Sequence, residues 1–133
     1  MAHDVLHPGG WKPARGYANG IAARGRLVFT GGMIGWTGDC VFETDDFAGQ
    51  AAQALRNIVA VLAEGGAGPE HLVRLTWYVT DKRAYLDSLR DLGRAYREII
   101  GAHYPAMALV QVVALVEDRA LVEIEATAVV PEA

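Results

Sequence analysis

The chain has 133 residues, 52% of them apolar and 21% charged, with 12 Lys and Arg against 16 Asp and Glu and a formal net charge of -4. Residues 1–133 therefore fit one globular domain with its own core, and the composition excludes a disordered chain. The acidic balance, with no cluster of Lys or Arg, gives no footprint for a phosphate backbone, so nucleic acid is not expected as a partner.

From the N-terminus, two short strands are expected over YANGIAA (17–23) and RLVFT (26–30), joined at Arg24 and Gly25 as a tight hairpin, with Gly31 and Gly32 ending the second. Thr44, Asp45 and Asp46 supply an N-cap and first-turn acids. The helix they open carries Phe47, Ala51, Ala54, Leu55, Ile58 and Leu62 at helical spacing, up to Gly65 and Gly66. Val73, Leu75, Trp77 and Val79 then alternate with Arg74, Thr76 and Tyr78, the period of a strand. Asp81 caps a second helix with the stripe Tyr85, Leu86, Leu89, Leu92, Tyr96, Ile99 and Ile100, and Pro105 prevents its continuation past the Gly101 region. Two closing strands flank the polar turn Glu117, Asp118 and Arg119. This order predicts an α+β fold, a mixed sheet with two helices packed on one face.

The last strand places Val122, Ile124, Ala126 and Ala128 on one side and Leu121, Glu123, Glu125, Thr127 and Val129 on the other. The second set is too mixed for a core and too apolar for bare solvent, so a second copy of the chain is expected to cover it. Functional groups on that side then lie near a subunit boundary. Glu123 is the first candidate, because an acid inside an apolar run persists only with a partner or a purpose. It reads as a general base or water-orienting acid, against an ion pair with Arg74 or Arg119. For Glu125 the ion pair is the favoured reading.

The single cysteine, Cys40, cannot form an internal disulfide, and His3, His7, His71 and His103 lie at no metal-binding spacing, so no metal or cofactor is expected. No apolar stretch approaches ~20 residues and the start MAHDVLHPGG has no leader pattern. The expectation is a cytoplasmic protein without a membrane partner.

The segments GYANGI, LVFTGG, QAAQALRNIVAVLAEGGAG, LVRLTWYVTD, and PAMALVQV followed by LVEIEATAV resemble, in this order and over nearly the whole length, the YjgF/RidA (endoribonuclease L-PSP-like) superfamily. The resemblance implies a domain like chorismate mutase of the bacillus type, assembled as a homotrimer with inter-subunit clefts for a small metabolite. It implies hydrolytic deamination of reactive enamines and imines such as 2-aminoacrylate. In active deaminases an arginine follows the proline and alanine and clamps the substrate carboxylate with two parallel hydrogen bonds. Here that position is Met107, which has no N–H donor and no charge, and this implies a diverged subgroup with altered substrate choice.

By the same resemblance Glu123 handles the water and Tyr17 lines the cleft, and these two are the catalytic candidates. Thr30 and Gly31 match an edge where the family usually has serine and glycine, and the backbone around Pro105 to Ala108 meets the substrate. The segment DSLRDLGRAYREIIGAHYPAM carries a few extra residues and lacks the family's usual asparagine.

Two residues are candidates to replace the missing cation. Arg15 shares the side of Tyr17 in an extended chain, against a solvated loop arginine. His103 is near Met107 and, as an imidazole, reads as a polar substitute for the arginine, against a residue favouring the helix dipole. Met107 reads either as a more apolar pocket or as plain packing. Trp36, Trp77 and Tyr78 are expected in core or interface. The alternative to a deaminase is a non-catalytic small-molecule-binding or regulatory protein. Ribonuclease activity, credited to some family members, fits the acidic balance poorly.

Overall fold

The computed structural model describes residues 3–132. Strands β1 (Asp4–Leu6) and β2 (Gly20–Ala22) form an antiparallel ribbon of their own. Then follow β3 (Arg26–Phe29), β4 (Met33–Ile34), α1 (Phe47–Glu64), β5 (Leu72–Val79), α2 (Lys82–Asp87), α3 (Leu89–Ile99), β6 (Ala106–Gln111) and β7 (Val122–Val130). The main sheet runs β3-β7-β5-β6, with β4 joining the edge of β7 beyond β3. Its β5–β6 pair is parallel and the others antiparallel, so the sheet is mixed, as the order of elements predicts. Among the described residues no helix is long and apolar enough to cross a membrane.

The expected hairpin across Arg24 and Gly25 does not form. Its two arms find different partners, β2 pairing with β1 and β3 with β7. Gly25 has φ 147°, and a side chain there would overlap the carbonyl of Val130. The glycine thus serves a close backbone crossing rather than a two-residue turn.

Both helix starts are capped as their sequences suggest. Asp46 Oδ2 accepts from the Gly49 N–H at 2.9 Å, and Asp81 Oδ1 from the Arg83 N–H at 2.9 Å. The second helical run is broken at Ser88, whose hydroxyl donates to the Ala84 carbonyl at 2.7 Å. Such back-bonding bends helices. The break splits the apolar stripe: Leu92, Tyr96 and Ile100 reach the core, while Leu86 and Leu89 remain exposed.

Helices α1 and α3 pack on one face of the sheet, around Leu55, Ile58, Leu62, Leu72, Leu75 and Ile124. Each such side chain, fully buried, contributes about 1.5–3 kcal/mol. One polar group lies within this layer. Gln50 is fully buried and donates to Thr44 O at 3.1 Å and Arg119 O at 3.0 Å, while accepting from the Leu121 N–H at 2.8 Å. It ties α1 to the chain just before β7, and so fixes where β7 begins. Asn57 similarly donates to Ile34 O and Trp36 O at 3.1 and 2.8 Å, holding β4 on α1.

Candidate functional site

Alternation along β7 sends Val122 and Ile124 into the core and Glu123 to the opposite face, where it is half-buried. Glu123 stands opposite Ile34 of β4 and Tyr78 of β5. Its carboxylate lies directly over Gly32, where any Cβ would overlap Oε2 and come within 2.7 Å of Cδ. Gly32 is therefore the seat of the acid as well as the end of a strand. Its role is hidden in the sequence because the Gly31–Gly32 pair reads there as punctuation.

Neither alternative ion pair of Glu123 forms. Among the described residues no basic side chain lies within 4.0 Å of it, and Arg119 is engaged elsewhere, at 2.7 Å from Asp45 and with its guanidinium 5.2 Å from the centre of the Phe42 ring. Glu125 does not form the expected ion pair either; it accepts the Tyr78 hydroxyl at 2.7 Å. That hydrogen bond, then burial and the charges of Glu125 and Glu123, hold the Tyr78 hydroxyl above its ordinary range.

Thr30 and Gly31 form the step from β3 to Gly32. The Thr30 N–H donates to Ala126 O at 2.9 Å, and its hydroxyl accepts from Ala126 N–H at 3.0 Å while donating to Gly31 O at 2.8 Å. The hydroxyl proton is thus committed to the loop that carries Gly32. Among the described residues, no three His, Cys, Asp or Glu side chains stand close enough to share a metal ion.

A second group of expected residues assembles on the helix side of the sheet. Met107 is paired with Leu75 and packs against the core layer rather than toward Glu123. Together with Arg15, Tyr17 and Ala108 it lines a cavity of about 500 Å³ between β6 and α3. Tyr17 is placed there because the next residue, Ala18, donates to Pro105 O at 2.9 Å and bridges Ala106. Tyr96 and Tyr104, also in the wall, stack with ring centres 5.1 Å apart. The Tyr96 hydroxyl donates to His103 O at 2.6 Å, and burial pushes that hydroxyl above its usual range.

His103 does not join this wall. Its Nε2 donates to Leu72 O at 2.8 Å, a carbonyl at the irregularity in the β5–β7 register. The imidazole therefore staples the loop after α3 to the start of β5, and it neither replaces a cation in the cavity nor caps the helix. Sequence reasoning missed Arg97, Gly93 and Tyr85, which α2 and α3 bring to the cavity. The i, i+4 spacing of Gly93 and Arg97 was the available signal.

The expected site thus falls into two halves: Thr30, Gly31 and Glu123 on the open face, and Arg15, Tyr17, Met107 and Ala108 around the helix-side cavity. Residues 10–130 match the family model described as Endoribonuclease L-PSP. A RutC family protein from Synechocystis sp. is 35% identical over 121 residues, covering 90% of this chain and 89% of that protein. YyfB from Yersinia pestis, a conserved Rid family protein of unknown function, has a similar structure with TM-score 0.86 at 28% identity, covering 98% of this chain and 100% of its own. The YjgF gene product of E. coli matches with TM-score 0.66 at 29% identity over 85% of this chain and 87% of its own. By sequence and by fold, this chain belongs to the YjgF/RidA superfamily.

Proposed function

We propose that the chain assembles as a homotrimer whose inter-subunit clefts bind a small metabolite and hydrolyse an imine or enamine to a carbonyl compound and ammonia. The reading rests on one observation: Glu123 and the Tyr17–Met107 cavity lie on opposite faces of the same sheet. A pocket containing both needs the open face of one copy against the cavity edge of another. In that pocket Glu123 takes a proton from water as the water oxygen bonds to the C=N carbon and the C=N electron pair moves to nitrogen, and the Glu123 carboxyl then returns that proton to the nitrogen. The carbinolamine then expels ammonia and leaves the C=O group. An enamine enters the same route after protonation at carbon. Tyr17 lines the pocket mouth, and Met107, without a donor, moves substrate choice away from simple 2-imino carboxylates. We place the protein in the cytoplasm, where a lone Cys40 suits a reducing compartment.

The test is a coupled assay in which an amino-acid oxidase generates imines from a panel of amino acids and clearance is followed. Wild-type turnover, reduced by about 10²–10⁴-fold in Glu123→Ala, is the expected result. No wild-type turnover on any imine, with activity appearing in Met107→Arg, would sink the reaction and favour a second reading: a cleft used only for binding. Met107 and the committed Thr30 hydroxyl favour that reading, since both remove polar contacts from the site. The family description names an endoribonuclease, but a net charge of -4 suits RNA poorly.

A further inference from the structure

Two guanidinium groups edge the helix-side cavity from different elements: Arg15, just before Tyr17, and Arg97, in the last turn of α3. Among the described residues neither has a carboxylate within 4.0 Å. Of the other arginines, Arg94 lies 3.8 Å from Asp91 and Arg119 2.7 Å from Asp45, and it is the convergence of Arg15 and Arg97 on one cavity that distinguishes them. In a chain of net charge -4, two uncompensated cations at one cavity create a local positive potential that a bound anion would relieve.

The interior of the cavity is of a different character. Met107, Leu89, Leu92 and Leu109 give it aliphatic surface, and Tyr85 and Tyr104 give it aromatic surface. Gly93 is placed one turn before Arg97 and lines the same space; a Cβ there would stand 3.5 Å from Arg97 Nη1. A glycine inside a helix is unfavourable, and here it leaves the wall open beneath the guanidinium. The Trp77 indole also lines the cavity, and its buried Nε1–H finds no acceptor among the described residues. At about 500 Å³ the space is far larger than a three-carbon acid and falls within the usual range for ligand sites.

We infer that this cavity takes a carboxylate with an aromatic or similarly bulky apolar body, with Arg97 and Arg15 holding the carboxylate and Met107 packing against the body. The inference rests on the reading of the cleft as the substrate site, and it names the substrate class. The charge that the family supplies from position 107 is supplied here from α3 and from the segment before Tyr17. The carboxylate is thereby held at the mouth, and the space beside β6 is left to an apolar group.

Calorimetric titration with three probes tests this without turnover: phenylpyruvate, pyruvate and the uncharged phenylacetone. Phenylpyruvate should bind at least tenfold more tightly than pyruvate. Arg97→Gln should weaken phenylpyruvate about tenfold or more and leave phenylacetone unchanged, with partial recovery in Arg97→Lys. Gly93→Leu should abolish phenylpyruvate binding by filling the cavity; leucine favours helix, so an unchanged or raised thermal midpoint excludes unfolding as the cause. Equal affinity for phenylpyruvate and pyruvate, or phenylpyruvate binding indifferent to both Arg15→Gln and Arg97→Gln, overturns the inference. Selective binding without imine turnover would remove the reaction and leave this site standing. Turnover of small imines with no preference for bulky ones would do the reverse.

Discussion

Strand β7 divides two surfaces that differ in every respect except backbone. Toward the helices, Val122, Ile124, Ala126 and Ala128 are all but fully buried; toward the open side, Glu123, Glu125 and Thr127 share a surface with Leu27 and Phe29, which are 58% and 64% exposed. An acid in the first layer would need a partner or would give up its charge. On the second it stands half-buried, on the face that the proposed partner subunit would cover. In the proposed trimer a second subunit completes the face that carries the candidate acid, while the helix-side face supplies stability and a pocket.

Four substitutions put that contrast to the test. The largest effect is expected from Phe29→Glu, which places a charge where we propose a partner subunit lies. Sedimentation should show monomers in place of trimers, with hydrolysis lost, whereas Val61→Glu on the outer side of α1 should leave assembly intact. Next comes Gln50→Leu on the helix-side face. It strands Leu121 N–H, Thr44 O and Arg119 O, and should cost about 3 kcal/mol in chemical denaturation. Oligomers that survive should still carry Glu123 in place.

Gly32→Ala is smaller and local. The new Cβ displaces the Glu123 carboxylate, so hydrolysis should fall about tenfold, a loss of about 1.4 kcal/mol in transition-state binding, with an unchanged melting profile. The smallest effect belongs to Tyr78→Phe, a constant offset near neutral pH that shrinks in alkali. The Tyr78 hydroxyl is raised above 10.0, so its contribution to stability is complete below about pH 10 and is lost as the pH climbs through its folded value. Stability of the wild type should therefore decline above pH 10, less steeply in Tyr78→Phe, with parallel profiles between pH 6 and 9. Tyr96, raised by burial, contributes to the same alkaline decline and should account for part of what remains.

Local periodicity made much of the fold legible: α1, β5 and the two faces of β7 follow directly from spacing, because burial of each face depends on residues within the same segment. The hairpin at Arg24 and Gly25 failed because a glycine at a turn and a glycine at a backbone crossing leave the same local signature, and the crossing partner, Val130, is at the other end of the chain. The break at Ser88 depends on one side-chain bond within a turn, which an apolar stripe does not register. In the site, Arg15 and Tyr17 were found with Met107, and the Ala18–Pro105 bond is what joins them. Arg97 is not legible as a cavity residue because it is distant in sequence from Tyr17 and lies among the polar residues of α3. The place of His103 is not legible because its partner is a backbone carbonyl at a register irregularity, and no side-chain pattern announces that.

The Gln50 junction also bears on the order in which the chain acquires structure. Its bond to Leu121 spans 71 positions, and the Arg119 carbonyl it holds is 69 away, so neither contact exists until α1 has formed and the end of the chain has come back to meet it. Contacts of such separation form late and at high entropic cost. The Leu121 amide should accordingly rank with the slowest in hydrogen–deuterium exchange, opening with the whole sheet rather than with its own loop, and its protection marks completion of folding.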